Sequence, residues 1–291
     1  MTGLALILIL SAAVLHASWN FLVKRGTNQE VFVWLSQVAL SIFMVPVALI
    51  LLWLYPVGII GWWFVLGTVI LHVLYFLFLG RGYARADLSV VYPIARGMGP
   101  ALVPLLGVSV LGEEISIPAI IGIIAVIMGI YTVYWWGHFR QILKNPLQLI
   151  KEPGSRYAVM TGLIIASYSI WDKVGISHVT PFLYMYLMSL GSALGLTPFI
   201  LRSHSMETVQ TEWRHNRGRI LIVALLVFLA YGMVLTALQF SRVSYVAPAR
   251  EVGIVIGVLL GIVVLKEPFG RGRLLGSSLI VVGLVLIALA P

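Results

Sequence analysis

The chain has 291 residues, of which 60% are apolar and only 10% charged, and its formal net charge is +9. A soluble domain carries about a quarter charged residues, so a soluble fold of this length could not cover that much apolar surface. The composition specifies an all-α membrane protein, and the absence of cysteine excludes disulfides, thiolate metal sites and cysteine nucleophiles.

A helix needs about 20 apolar residues to cross the hydrocarbon. The first candidate, 3–23, has no basic n-region and no small-x-small cleavage pattern before His16, Trp19 and Asn20. It therefore reads as a span and not as a leader peptide. His16, Trp19 and Asn20 share one helical face, which suits either a cavity wall or interhelical hydrogen bonding. Spans follow at 31–54 and 62–80, the latter carrying His72 and Tyr75. The fourth, 88–111, carries Tyr92, Pro93 and Arg96, and the fifth is 117–137. A polar stretch at 138–156 then divides the chain nearly in half. The sixth span, 157–175, contains Trp171, Asp172 and Lys173, with a local Asp172–Lys173 ion pair expected. Spans at 181–201, 219–240, 244–265 and 271–290 complete ten, and Arg250 and Glu251 lie in the ninth.

The halves repeat one another. Val91-Tyr92-Pro93-Ile94-Ala95-Arg96 reappears as Val246-Ala247-Pro248-Ala249-Arg250, one residue shorter. From the arginines onward Gly99 matches Gly253, Gly107 matches Gly261, Glu113 matches Glu267, Gly122 matches Gly276 and Gly129 matches Gly283. Lys24 falls on Lys173 in a looser match of the first helices. The expected organisation is one five-helix repeat over 1–140 and a second over 155–291. An odd helix number makes the second copy enter from the opposite side, so the repeats are expected to be inverted, an arrangement that places a substrate site between them near the midplane.

Ionisable groups inside spans are costly and usually functional. Arg96 and Arg250 each follow a proline, which is expected to open the helix locally. A planar guanidinium there can clamp a carboxylate, phosphate or phosphonate, or alternatively lock its own repeat through Glu251. Glu113 and Glu267 read as structural caps on the next helix. The Gly253–Gly257–Gly261 and Gly191–Gly195 stripes read as helix-packing surfaces. No HExxH or phosphate-binding GxxxxGK[ST] pattern occurs, and Gly270-Arg271-Gly272-Arg273 enters a membrane helix and not the βαβ unit of a dinucleotide fold.

Ten helices in two halves, with Val110-Leu111-Gly112-Glu113 and Val264-Leu265-Lys266-Glu267 at matching positions, resemble the EamA-type branch of the drug/metabolite transporter superfamily. The resemblance implies a secondary transporter with a central cavity and alternating access, and no bound cofactor. Tyr92-Pro93-Ile94-Ala95-Arg96-Gly97 and Ala247-Pro248-Ala249-Arg250-Glu251, with His16-Ala17-Ser18-Trp19-Asn20, are similar to a subgroup associated with phosphonate utilisation. The first helix lacks the acid that small multidrug relatives use for proton-coupled cation export.

The expected protein is thus a non-enzymatic, multi-pass transporter of the cell membrane. It moves a small polar metabolite, anionic or zwitterionic, held by Arg96, His16, Trp19, Asn20, Tyr92, Arg250, His72, Tyr75 and Trp171. Translocation of a lipid-linked head group is the alternative, followed by an integral membrane enzyme. Its partners are the substrate and the bilayer, not nucleic acid; a coupling ion, and the choice between monomer and dimer, stay open. Lys173 and Arg242 fall on one side of the ten spans, Arg96 and Arg250 within them, and the rest of the 19 Lys and Arg on the other. The positive-inside rule then puts both termini outside the cytoplasm, whereas the family resemblance implies termini inside.

Overall fold

The computed structural model describes residues 1–23, 25–83, 85, 88–136, 152–265 and 270–291. Twelve helices account for the ten expected spans among these residues. They are α1 (Gly3–Val23), α2 (Gln29–Phe43), α3 (Val45–Leu54), α4 (Ile59–Tyr83), α5 (Leu88–Leu111), α6 (Ile117–Trp135), α7 (Pro153–Gly175), α8 (Pro181–Ser203), α9 (Met206–Phe240), α10 (Val243–Ala249), α11 (Val252–Leu265) and α12 (Arg271–Leu289). Eight stretches are each long and apolar enough to cross a membrane, one of them running through α10 into α11, and α2 with α3 adds a ninth as a bent pair. Helix α7 is as long but more polar, carrying Arg156, Asp172 and Lys173.

The departures from ten plain rods have local causes. The second span bends by 54° between α2 and α3, where Pro46 enters the first turn of α3 without an N–H to donate. The ninth span breaks at Arg250-Glu251, just after Pro248 in α10. Pro93 has no such effect, because α5 runs unbroken from Leu88 to Leu111. The two proline–arginine motifs therefore differ: only the second opens its helix. Helix α9 starts well before the expected 219, because Ser205 caps it by accepting from the Thr208 N–H at 3.2 Å.

Helix α1 packs along α9 and α4 along α7, α5 meets α7 as α1 meets α11, and α2 crosses α8. This exchange of partners is compatible with two five-helix halves. The most extensive seam joins α6 to α12, and repeated glycines make it. A Cβ on Gly122 would stand 2.7 Å from the Gly283 carbonyl oxygen, and one on Gly129 would stand 2.7 Å from that of Gly276. The four glycines are therefore needed for backbone-to-backbone approach, the device by which membrane helices associate closely. Gly191 and Gly195 similarly admit Val69 and Val73 of α4. The Gly253–Gly257–Gly261 stripe is looser: Gly253 makes ordinary contact with Ala13, Gly257 faces open space, and the side of the helix at Gly261 lies outside the described residues.

Gly129→Ala, which forces two backbones apart, should destabilise the protein by about 1–3 kcal/mol. Gly257→Ala meets nothing and should leave stability unchanged or raise it by up to about 1 kcal/mol through helix propensity. Thermal unfolding of both variants in detergent checks the contrast.

Candidate functional site

A cavity of about 120 Å³ lies at the centre of the bundle. Its wall draws on α1, α2, α4 and α5 from the first half and on α7, α8, α9 and the end of α10 from the second. Helices α6 and α12, bound to each other by glycines, contribute nothing to it.

Six of the nine residues singled out in the sequence line this cavity: His16, Trp19, His72, Tyr75, Arg96 and Arg250. Arg96 Nη2 lies 2.8 Å from His16 Nε2, and Trp19 Nε1 lies 3.2 Å from His16 Nδ1. Arginine and indole are donors only, while a neutral imidazole offers one lone pair. His16 therefore accepts from one neighbour and turns an N–H toward the other. Glu251, 1% exposed, lies 3.7 Å from Arg96 Nη1 and 3.5 Å from Arg250 Nε. One carboxylate thus serves two guanidinium groups, and its Oε2 is buried without a hydrogen bond. Arg250 Nη2 also donates to the Tyr168 hydroxyl at 3.4 Å.

The remaining three candidates stand apart. Asn20 donates to the His16 backbone carbonyl at 2.7 Å, within its own helix and away from the cavity wall. Trp171 faces α4, where its Nε1 donates to the Phe64 carbonyl at 2.8 Å and its ring fills the space beside Gly67. It is an interhelical anchor and does not reach the cavity. The Tyr92 side chain lies outside the described residues, although its backbone belongs to α5.

The cavity also holds groups that the sequence did not single out for it. The Tyr168 ring stacks on His72 at 4.4 Å between centroids, and Tyr231 meets His72 edge-on at 5.7 Å. In the loose match of the first helices that sets Lys24 on Lys173, Tyr168 of Ala166-Ser167-Tyr168-Ser169 falls on Trp19 of Ala17-Ser18-Trp19-Asn20, while Tyr231 is one tyrosine in an apolar run. Gln37 is 5% exposed, and its Oε1 is buried at the wall with no hydrogen-bond partner.

Among the described residues no grouping of His, Cys, Asp and Glu could hold a metal ion. Residues 153–289 match the model of the EamA-like transporter family, and residues 57–127 match that of the Small Multidrug Resistance protein. The chain is an EamA-type member of the drug/metabolite transporter superfamily. No curated protein matches it. A solved crystal structure superposes with a TM-score of 0.74 at 16% identity, over 98% of this chain and 97% of that one, which shows the same fold. As an EamA-type protein it is a multi-pass membrane transporter of small molecules.

Two sequence expectations are corrected within this EamA fold. Glu113 does not cap the following helix, α6, whose N-cap Ser116 makes no side-chain cap bond. It reaches across to the other half and accepts from the Val243 N–H at 2.7 Å, the Ser244 N–H at 3.0 Å and the Ser244 hydroxyl at 2.5 Å, capping α10. Its repeat counterpart Glu267 lies outside the described residues, as does Lys24. Asp172 does not pair with Lys173, whose ammonium donates to the carbonyls of Leu238 and Ser241 at 2.5 and 2.9 Å. The reason is the helix itself: adjacent residues point about 100° apart.

Removing one member of a buried ion pair leaves an uncompensated charge. Glu251→Gln should therefore lower stability by about 3–5 kcal/mol, since it leaves two guanidinium groups facing each other without their carboxylate. Thermal unfolding against wild type checks this.

Proposed function

We propose that the protein is a secondary active transporter of a small anion or zwitterion, bound in the central cavity and moved by alternating access between two inverted repeats. The observation that carries this reading is the meeting of two guanidinium groups, one from each half, at one wall of the cavity. Arg96 and Arg250 both face the buried Glu251 carboxylate, and Arg250 Nε is buried at the site without a hydrogen bond. An oxyanion between Arg96, Arg250 and His16 would take charge-assisted hydrogen bonds there, Arg250 Nε being a buried donor without a partner. It would also compensate the second guanidinium charge, which is costly inside a membrane.

Gln37 refines the substrate class. Its unpartnered Oε1 is an acceptor at the same cavity wall, so a ligand that carries an ammonium or hydroxyl group beside its anionic end satisfies both regions. Small aminophosphonates, phosphate esters and amino acids have this form. We put the protein in the cell membrane, where the loop charges support termini outside the cytoplasm and the family resemblance supports termini inside.

Counterflow uptake in proteoliposomes tests the assignment, with a panel of small phosphonates, organic phosphates, carboxylates, amino acids and lipophilic cations. Arg96→Gln should weaken the transported anion or zwitterion by about 1.5–3 kcal/mol, about tenfold to a hundredfold in affinity. Uptake of cations alone, indifferent to Arg96→Gln, contradicts the substrate class.

A further inference from the structure

Beside the cavity, and not part of its wall, lies a second polar centre. Asp172, in the last turn of α7, is wholly buried at 0% exposure. Its Oδ1 accepts from the Tyr184 hydroxyl of α8 at 2.9 Å, and its Oδ2 from the Tyr231 hydroxyl of α9 at 2.5 Å. Among the described residues it has no ion-pair partner, because Lys173 is committed to backbone carbonyls. Two hydroxyl donors satisfy lone pairs but leave a full negative charge wholly buried among packed helices. Such charges are paired, or are neutralised by a proton.

The geometry points to Asp172 as the binding site of a coupling proton, carried with the substrate anion. This inference rests on the proposed anion transport and adds the ion that drives it. Tyr231 is the link, since its hydroxyl bonds Asp172 while its ring lines the cavity against His72. Among the described residues, the titratable and charged groups around the site are Tyr168 and Lys173 on α7, His72 on α4, Tyr184 on α8, Tyr231 on α9 and Arg250 at the end of α10. His72 reaches Arg250 through Tyr168, by a 4.4 Å ring stack and a 3.4 Å hydrogen bond.

This arrangement couples the two occupants electrostatically. With Asp172 charged, its field opposes an anion in the neighbouring cavity and holds the Tyr231 hydroxyl away from it. A proton taken from water on the loading side forms the Asp172 O–H bond and removes that negative charge. Protonated Asp172 donates one hydrogen bond in its turn, which frees the Tyr231 hydroxyl to rotate toward the ligand. Breaking the same O–H bond on the far side returns the proton to water and restores the repulsion that expels the anion. By linkage, each occupant raises the affinity of the other.

The test uses the full chain, as wild type and as Asp172→Asn, in lipid. The first arm needs no substrate. Infrared difference spectra between acidic and neutral pH should show a protonated-carboxyl stretch in wild type that Asp172→Asn lacks; an unchanged band in the variant overturns the assignment. The second arm follows a small phosphonate, methylphosphonate, in proteoliposomes. A gradient of about one pH unit supplies about 1.4 kcal/mol per proton, an about tenfold accumulation. Asp172→Asn should abolish that accumulation and keep counterflow exchange at equal pH, a split that a merely structural role would not produce. Gradient-driven accumulation that persists in Asp172→Asn overturns the proposal. If wild type exchanges no anion at all, the transport reading fails, and the infrared arm still decides whether Asp172 holds the proton.

Discussion

Two arginines share one carboxylate in the middle of a membrane protein, and much of the architecture follows from that arrangement. Guanidinium groups at this depth are expensive, and pairing does not recover the whole cost of desolvation. Glu251 is held between Arg96 and Arg250 because the helix breaks after Pro248, which brings two consecutive residues of one span to the same centre. Helix α1 supplies His16 and Trp19 on the other side of Arg96. The charges sit at distances of 3.5–3.7 Å, without the two-point fork that arginine and carboxylate form when fully engaged.

Away from this centre, the halves are held together by carboxylates that grasp backbone. Glu113 of the first half takes two successive N–H groups at the start of α10. Glu212 of the second half takes those of Thr27 and Asn28 at 3.3 and 2.8 Å, in the turn between α1 and α2. The two clasps stand at opposite ends of α9. Each is a charge-assisted contact between halves, and neither borders the cavity. The glycine seam between α6 and α12, by contrast, is built of backbone contact.

Span placement was legible because ten apolar runs separated by polar turns leave little alternative in lipid. The matched glycines were legible in the sequence, and the structure gives their reason: Gly122 and Gly129 face Gly283 and Gly276 across one seam. The arginines were legible because charge inside a span is rare. Side-chain direction was not. Asn20 and Trp19 are neighbours on α1, but only Trp19 reaches the cavity, and Trp171 and Asp172 point to different helices. Tyr168 and Tyr231 gave no signal of their own, since an aromatic residue in an apolar run is usually packing. The reach of Glu113 across to α10 depends on tertiary contact that no local pattern encodes.

The most direct measurement of the central claim is ligand-induced thermal stabilisation of the purified protein, titrated with matched small anions, zwitterions and lipophilic cations at one ionic strength. An anion or zwitterion at a hundredfold excess over its Kd should stabilise the folded state by about 2.7 kcal/mol, with no stabilisation by the cations. Stabilisation by cations alone would show that the arginine-lined cavity is not the site of an anionic substrate.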